Sequence, residues 1–257
     1  MTTSAFGDML KEWRTIRRFS QLDLSLEADI SARHVSFLES GRASPSRAMV
    51  IRLAQALDMP KDTANNAMHI AGFAPVFPKL ESDAADLAPV HDAVAHMLTG
   101  HDPFPAIAID RHWDVINVNT SALMLFAALG VNGATNMIDA LCATAESDVI
   151  DNWEETAILA LARLRAEIAQ FGGDRVLERY AAQLANHERL SKADLSQVNF
   201  DQAVIPSVFN LSGQKLSLFS TIASFSTVQD VSASDIRVEM MFPTDAASRA
   251  FFEQRLN

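Results

Sequence analysis

The sequence predicts two folds in one chain, an all-α head of five helices followed by an α+β domain with an antiparallel sheet. Three observations carry that prediction. Apolar residues recur at helical spacing through the first 72 positions, with capping residues at the boundaries. The stretch Phe73-Ala74-Pro75-Val76-Phe77-Pro78 cannot continue a helix and marks a domain break. Beyond it, short β-type segments near both ends enclose a helical middle.

Each element follows in order. Phe6, Leu10, Trp13 and Ile16 share one face of a first helix over about 6–18. Ser20 stands as N-cap of a second helix, with Asp23 in the capping-box position and Leu24 and Ala28 inward. Ser31 caps a third, whose Val35 and Leu38 form the apolar side, and Gly41 closes it. Ser44-Pro45-Ser46 reads as a cap followed by proline at the first helical position, opening a fourth helix with Met49, Val50, Leu53 and Leu57 inward. Residues 61–71 make a fifth, ended by Gly72, and a further amphipathic helix covers 86–98. Residues 105–110 and 114–119 then read as a strand pair close enough for a hairpin, and 120–129 as a helix. Trp153, Ala157, Ala160, Leu164, Ile168 and Phe171 form the stripe of a long helix at about 152–171, and another helix spans 175–187. The tail returns to strands at 202–210, 215–225 and 235–242, with Leu211-Ser212-Gly213-Gln214 as a hairpin turn, before a last helix at 244–256. The domains are accordingly 1–78, a connecting helix and linker at 79–103, and 104–257.

Composition narrows the function. Net charge is −11, which taken alone argues against a nucleic-acid partner. The distribution reverses that. Residues 1–78 hold nine Lys/Arg and eight Asp/Glu, whereas 79–257 hold twelve and twenty-four. A mildly basic head thus precedes a strongly acidic body, and phosphate contacts depend on local Lys, Arg and helix N-termini. The single cysteine, Cys142, allows no intramolecular disulfide and no multi-cysteine metal site. No run of about 18 apolar residues is present to span a membrane. The N-terminus lacks the plan of a signal peptide, so the cytoplasm is the expected compartment.

The third helix is the most informative element. It is short, and Arg33, His34 and Ser36 face away from its apolar side, where packing has no use for them. Reading DNA in the major groove is the use such a helix suits. The 6–72 segment resembles the helix-turn-helix of the phage-repressor-like XRE family. The resemblance rests on Ser20-Gln21, on Phe37-Leu38-Glu39-Ser40-Gly41, and on Pro45-Ser46 followed by Arg52-Leu53-Ala54-Gln55-Ala56-Leu57.

It implies roles position by position. Gln21 meets a phosphate or an outer base, and Ser31, Ala32, Arg33 and Ser36 lie toward the groove. Arg33 is the candidate for a bidentate contact to guanine O6 and N7. His34 either touches phosphate or stays solvated, and Phe37 either meets a thymine methyl or packs. Arg42, Ser44 and Ser46 surround the N-terminus of the fourth helix, a natural phosphate site. Arg14 and Glu39 match a structural pair joining the first helix to the third. Asp29 departs from the family, which has glycine in that turn, although aspartate tolerates the left-handed conformation better than most residues. A homodimer on a partly palindromic double-stranded DNA operator is the expected assembly.

The second domain resembles the ligand-binding domain of the MmyB-like regulators. Gly100-His101-Asp102-Pro103-Phe104 running into 105–119, then 217–221 (Ser-Leu-Phe-Ser-Thr) and 241–245 (Met-Phe-Pro-Thr-Asp), carry the likeness in order. It implies a PAS-like fold enclosing a small apolar ligand, a fatty acid or related lipid acting as effector. The residues support an apolar space, since the β segments carry apolar side chains on both alternations. Phe104, Ile107, Ile109, Trp113, Phe126, Phe209 and Phe219 are the candidate lining, with Ala160 and Leu164 from the long helix. Arg163 is the candidate anchor for a head group. An ordinary filled core is the competing reading for each lining residue.

Catalytic constellations are missing. There is no G-x-S-x-G, no H-E-x-x-H, no glycine-rich phosphate loop and no Cys/His cluster. His91, His96 and His101 recur every five residues and so miss the i, i+4 spacing of helical zinc ligands. Neither an enzyme, nor a metal site, nor a resident cofactor is expected. The reading is a DNA-binding transcriptional regulator whose C-terminal domain senses a small apolar ligand. Its rival makes that domain a dimerisation or protein-interaction module without a ligand.

Overall fold

The computed structural model describes residues 5–80, 85–192, 204–211, 213–225 and 228–254. They form two compact units, one of residues up to 79 with 168–173 and 229–231, the other of the remaining described chain.

The head is five helices: α1 (Ala5–Ile16), α2 (Gln21–Glu27), α3 (Ala32–Glu39), α4 (Arg47–Ala56) and α5 (Lys61–Ile70). Its boundaries are set by caps. The Ser20 hydroxyl accepts from Asp23 N at 3.1 Å and the Asp23 carboxylate accepts from Ser20 N at 2.7 Å, a reciprocal capping box. Ser31 caps α3 through His34 N at 3.2 Å. For α4 the expectation is corrected: the cap is Ser46, accepting from Met49 N, and Pro45 precedes the helix instead of opening it. Leu10, Leu24, Val35, Leu38, Val50, Leu53, Leu57 and Met68 are buried together as the core. Asp29 adopts φ +49° in the turn between α2 and α3, so aspartate does hold the left-handed position there. The Arg52 guanidinium donates to its carbonyl at 3.4 Å.

The second unit opens with a 3₁₀ turn (Ala85–Leu87) and α6 (Ala88–His101), followed by β1 (Ala106–Ile109), β2 (Val115–Val118) and α7 (Thr120–Ala128). Then come α8 (Met137–Ala143), α9 (Trp153–Phe171), α10 (Arg175–Ala185) and α11 (Glu188–Ser191). The chain ends with β3 (Ser207–Leu211), β4 (Gln214–Ser224), α12 (Val231–Ser234), β5 (Arg237–Pro243) and α13 (Ala246–Glu253). The sequence pattern misses the short helices α8, α11 and α12. The expected strand from 202 starts at Ser207 (202–203 lie outside the described residues, as does Ser212 of the turn), and β3 pairs with β4 through Leu211 opposite Gln214.

Among the described residues the strands form one antiparallel sheet in the order β2-β1-β5-β4-β3, with α7 to α11 inserted between β2 and β3. That is the expected α+β domain with an antiparallel sheet. Side chains alternate across the sheet. Ala106, Ala108 and Val238 face one side, where they pack with Val94 and Leu98 of α6. Thus α6, expected as a connector, is built into the core of the second unit, because its apolar stripe finds the sheet. Ile107 and Ile109 lie opposite Glu239 and Arg237 on the other side, the side that faces the cavity described next.

Candidate DNA-reading surface and ligand cavity

In the head, one ionic cluster sets the relation of α1, α2 and α3. Arg14 grips Glu39 bidentately, Nε to Oε1 at 2.6 Å and Nη2 to Oε2 at 3.1 Å, while Nη1 donates to the Phe19 carbonyl at 2.8 Å. Glu39 is 6% exposed, so this pair stands where desolvation makes bidentate geometry matter. The Gln21 amide nitrogen also donates to Glu39, at 2.7 Å. One N–H of Gln21, expected at a phosphate or an outer base, is thus held inside the head.

With Val35 and Leu38 buried, Arg33 is exposed and Ala32, His34 and Ser36 are half-buried at the outer side of α3. Phe37 is neither free nor simply packed. The Arg33 guanidinium lies 5.1 Å from its ring centroid and that of Arg42 lies 5.9 Å away. One aromatic ring thus sits beside two cations, a favourable arrangement that restricts both side chains. Ser31 and Ser46 spend their hydroxyl oxygens on caps, whereas Ser44 is exposed just ahead of α4.

The second unit holds a cavity of about 310 Å³, within the range of small-molecule sites. Its walls come from α7 (Leu125, Phe126), α8 (Ile138, Leu141), α9 (Leu159, Ala160, Arg163), β3 (Phe209), β4 (Leu218, Ile222), β5 (Glu239, Met241) and Trp113 of the β1–β2 turn. Of the expected lining, Trp113, Phe126, Ala160, Arg163, Phe209 and Phe219 border the space. Four expectations are corrected. Ile107 and Ile109 are fully buried one strand beyond the wall, and Leu164 is fully buried in the packed stripe of α9. Phe104 joins an aromatic group with His101 and Phe252. Phe219 borders the space as expected, and its ring also stacks on Phe242, its cross-strand partner, with centroids 5.6 Å apart. Ile107 and Ile109 are on the cavity side of the sheet but on β1, one strand beyond β5, a lateral position that the sequence alone does not give.

The polar end of the cavity is a four-charge cluster. Glu167, 9% exposed, accepts from Trp113 Nε1 at 2.8 Å, from Arg163 Nε at 3.0 Å and from the Arg237 guanidinium. Arg163 Nη1 donates to Glu239 at 3.3 Å, and its guanidinium carbon lies 4.2 Å from the Trp113 ring centroid. Arg237 also donates to the Asp110 carbonyl at 2.9 Å. Burial pulls the Arg237 guanidinium below its ordinary range, an effect that the charge of Glu167 opposes. Arg163 Nη2 and Arg237 Nε are buried without a hydrogen-bond partner among the described residues. Arg163 is therefore at the wall as expected, but its charge is already matched.

Trp113 reaches this cluster from a strained position, φ +67°, in the β1–β2 turn. The Asp110 carboxylate accepts from His112 N at 2.8 Å and Asp114 N at 2.9 Å and holds the turn. Asp174, the N-cap of α10, braces it from outside, accepting from Arg111 at 2.7 Å and His112 at 3.0 Å. Burial would raise the Asp174 carboxyl; Arg111 and His112 overcome it and bring the value to about 2.

The residues that carried the family resemblance are mostly braces. Asn119 accepts from Ala106 N and Ala122 N and donates to the Leu98 and Phe104 carbonyls, tying α6, β1 and α7. Asp245 caps α13, and Thr244 bonds Ser217. Sequence reasoning missed Glu167 and Glu239. An acidic residue four positions after Arg163 was the available signal for Glu167; the place of Glu239 depends on sheet register.

Among the described residues no group of three or more His, Cys, Asp or Glu side chains comes together as a cation site. No helix among them is long and apolar enough to cross a membrane.

No curated protein matches this chain. A solved structure titled "Structure of an RNA-binding Light-Oxygen-Voltage Receptor" is 12% identical with a TM-score of 0.25, over 99% of this chain and 62% of that one. A likeness that weak bears on neither fold nor function, and the chain spans about 62% of that receptor's length. Two family models do match: helix-turn-helix over residues 10–63, and the MmyB-like transcription regulator ligand binding domain over 90–254, which includes most of α6. The chain belongs to the MmyB-like regulators, as a DNA-binding transcription regulator with a helix-turn-helix head and a ligand-binding domain.

Proposed function

We propose that the second domain senses a small apolar ligand, of lipid-like class, and that occupancy of its cavity changes the affinity of the head for an operator. The observation that carries this is the cavity of about 310 Å³ walled by Leu, Ile, Phe and Met side chains, with its ionic groups gathered at Arg163 and Glu239. An acyl chain buried there gains roughly 0.8 kcal/mol per methylene. The ligand must bind the DNA-competent and incompetent forms with different affinity, since equal affinity shifts nothing. A homodimer reading two half-sites about 34–36 Å apart is the assembly that suits one recognition helix per protomer.

Native mass spectrometry of the purified full chain tests the ligand. A co-purifying lipid-sized mass, released on denaturation, is the expected result. A clean ligand-free mass, together with no thermal shift across alkyl chains of graded length, would leave the domain as a dimerisation module. Footprinting tests the head: protection of two half-sites is expected, and a monomeric complex on a single half-site would refute the dimer.

A further inference from the structure

We infer that the cavity takes an uncharged amphiphile, an alkyl chain ending in a neutral hydrogen-bonding head, in preference to a free fatty carboxylate. The inference rests on the reading of the cavity as a ligand site, and it concerns the charge of the head group.

Among the described residues bordering the space only two carry charge, Arg163 and Glu239, and they are paired with each other at 3.3 Å. Arg163 Nε is held by Glu167 and the guanidinium plane lies over the Trp113 ring, so Nη2 is the one donor group of this arginine without a partner among the described residues, and a carboxylate that accepts from it still sits beside Glu239. The next cation inward, Arg237, donates to the same Glu167 and to the Asp110 carbonyl. Two guanidiniums thus face two carboxylates, and this end of the cavity has no spare positive charge. An incoming carboxylate has two options. It displaces Glu239 from Arg163 and strands that carboxylate in an apolar wall, or it sits beside Glu239 as a second anion. Both are costly at low dielectric.

A neutral head meets a different site. An ionised carboxylate offers about four lone-pair positions. The hydrogen bond that Glu239 accepts from Arg163 leaves room for an amide N–H or a hydroxyl. The other polar groups at the wall are the hydroxyls of Thr144, Thr156, Ser207 and Ser220, which suit an uncharged head and supply no counter-charge.

Isothermal titration of the full chain at pH 8 with matched pairs, decanoate against decanamide and the same pair at shorter and longer chain lengths, tests this directly. We expect the amide to bind at least about tenfold more tightly than the carboxylate of equal length. In Glu239→Gln, which leaves one net positive charge, the ratio of carboxylate to amide affinity should rise about tenfold. In Arg163→Gln it should fall. Melting of each ligand-free variant checks that the fold is intact, and the ratio within one variant cancels a general loss of affinity. Carboxylate binding as tight as amide binding in the unmodified chain overturns the inference while leaving the ligand-site reading standing, and so does a ratio unmoved by Glu239→Gln. Failure of both series at every chain length overturns the ligand site itself.

Discussion

At the scale of single residues, the head divides its polar side chains between holding the fold and facing outward. Glu39 and Gln21 are held by the first task, whereas Arg33 and Arg42 share Phe37 at the surface. Arg33→Ala should relax preference at one base position by about 1–3 kcal/mol. Arg42→Ala should weaken all sequences alike and flatten the salt dependence by about one charge. Quantitative binding to an operator and its single-base variants over a salt series separates the two. Phe37→Ala should lower affinity without lowering the melting temperature much, since the ring is only half-buried.

Asp174 gives a residue-scale pH dependence. Its folded value, about 2, lies below that of a free aspartate. Its contribution is therefore fully present above about pH 4 and is lost as pH falls through the folded value. Asp174→Asn should reduce stability at neutral pH and narrow the difference from the unmodified chain as pH drops toward 2, read by chemical denaturation at each pH.

At the scale of elements, close approach and turn geometry decide. A β-carbon on Gly7 of α1 would stand 2.5 Å from the Glu39 carbonyl and 2.6 Å from that of Leu38. Both are backbone atoms at the end of α3, so relief requires moving one helix against the other. Gly7→Ala should cost about 1–3 kcal/mol by overpacking, measured by denaturant unfolding. Asp29 at φ +49° sets the α2–α3 turn. Asp29→Val should cost about 1–2 kcal/mol, while Asp29→Gly should be close to neutral.

Much of this level was legible in the chain. The caps Ser20 and Ser31, most inward residues of the first four head helices and the paired strands at 106–109 and 115–118 are written in local pattern. What was not legible has physical reasons. The short helices α8 and α11 lack the reciprocal capping box that marks the equally short α2, so little in the local pattern identifies them. The cap of α4 shifts from Ser44 to Ser46 because two serines flank Pro45 and either could have served. The lining role of Phe104, Ile107, Ile109 and Leu164 failed because hydrophobicity marks burial and says nothing about whether a void lies beside it.

At the scale of the whole molecule, the acidic body and the near-neutral head divide the work. Surplus negative charge in residues 79–257 disfavours binding to DNA at large, so retention on an operator falls to the head's own contacts. Ligand binding must register as stability. An alkyl chain at about 100 times its Kd should add about 2.7 kcal/mol to the unit that holds it. Calorimetry with and without the chain measures that gain, and its absence at saturating ligand would count against a sensor.

The sequence by itself determined two domains and most of their helical and strand content, because caps, periodicity and turn residues act over a few neighbours in the chain. Tertiary structure alone decided which apolar residues border the cavity and which fill the core. It alone brought Glu239 and Arg237 from β5 against Arg163 and Glu167 from α9, contacts that span 76 and 70 residues of sequence. Register and charge pairing are long-range properties. They place a neutral ionic cluster where the sequence showed only an arginine.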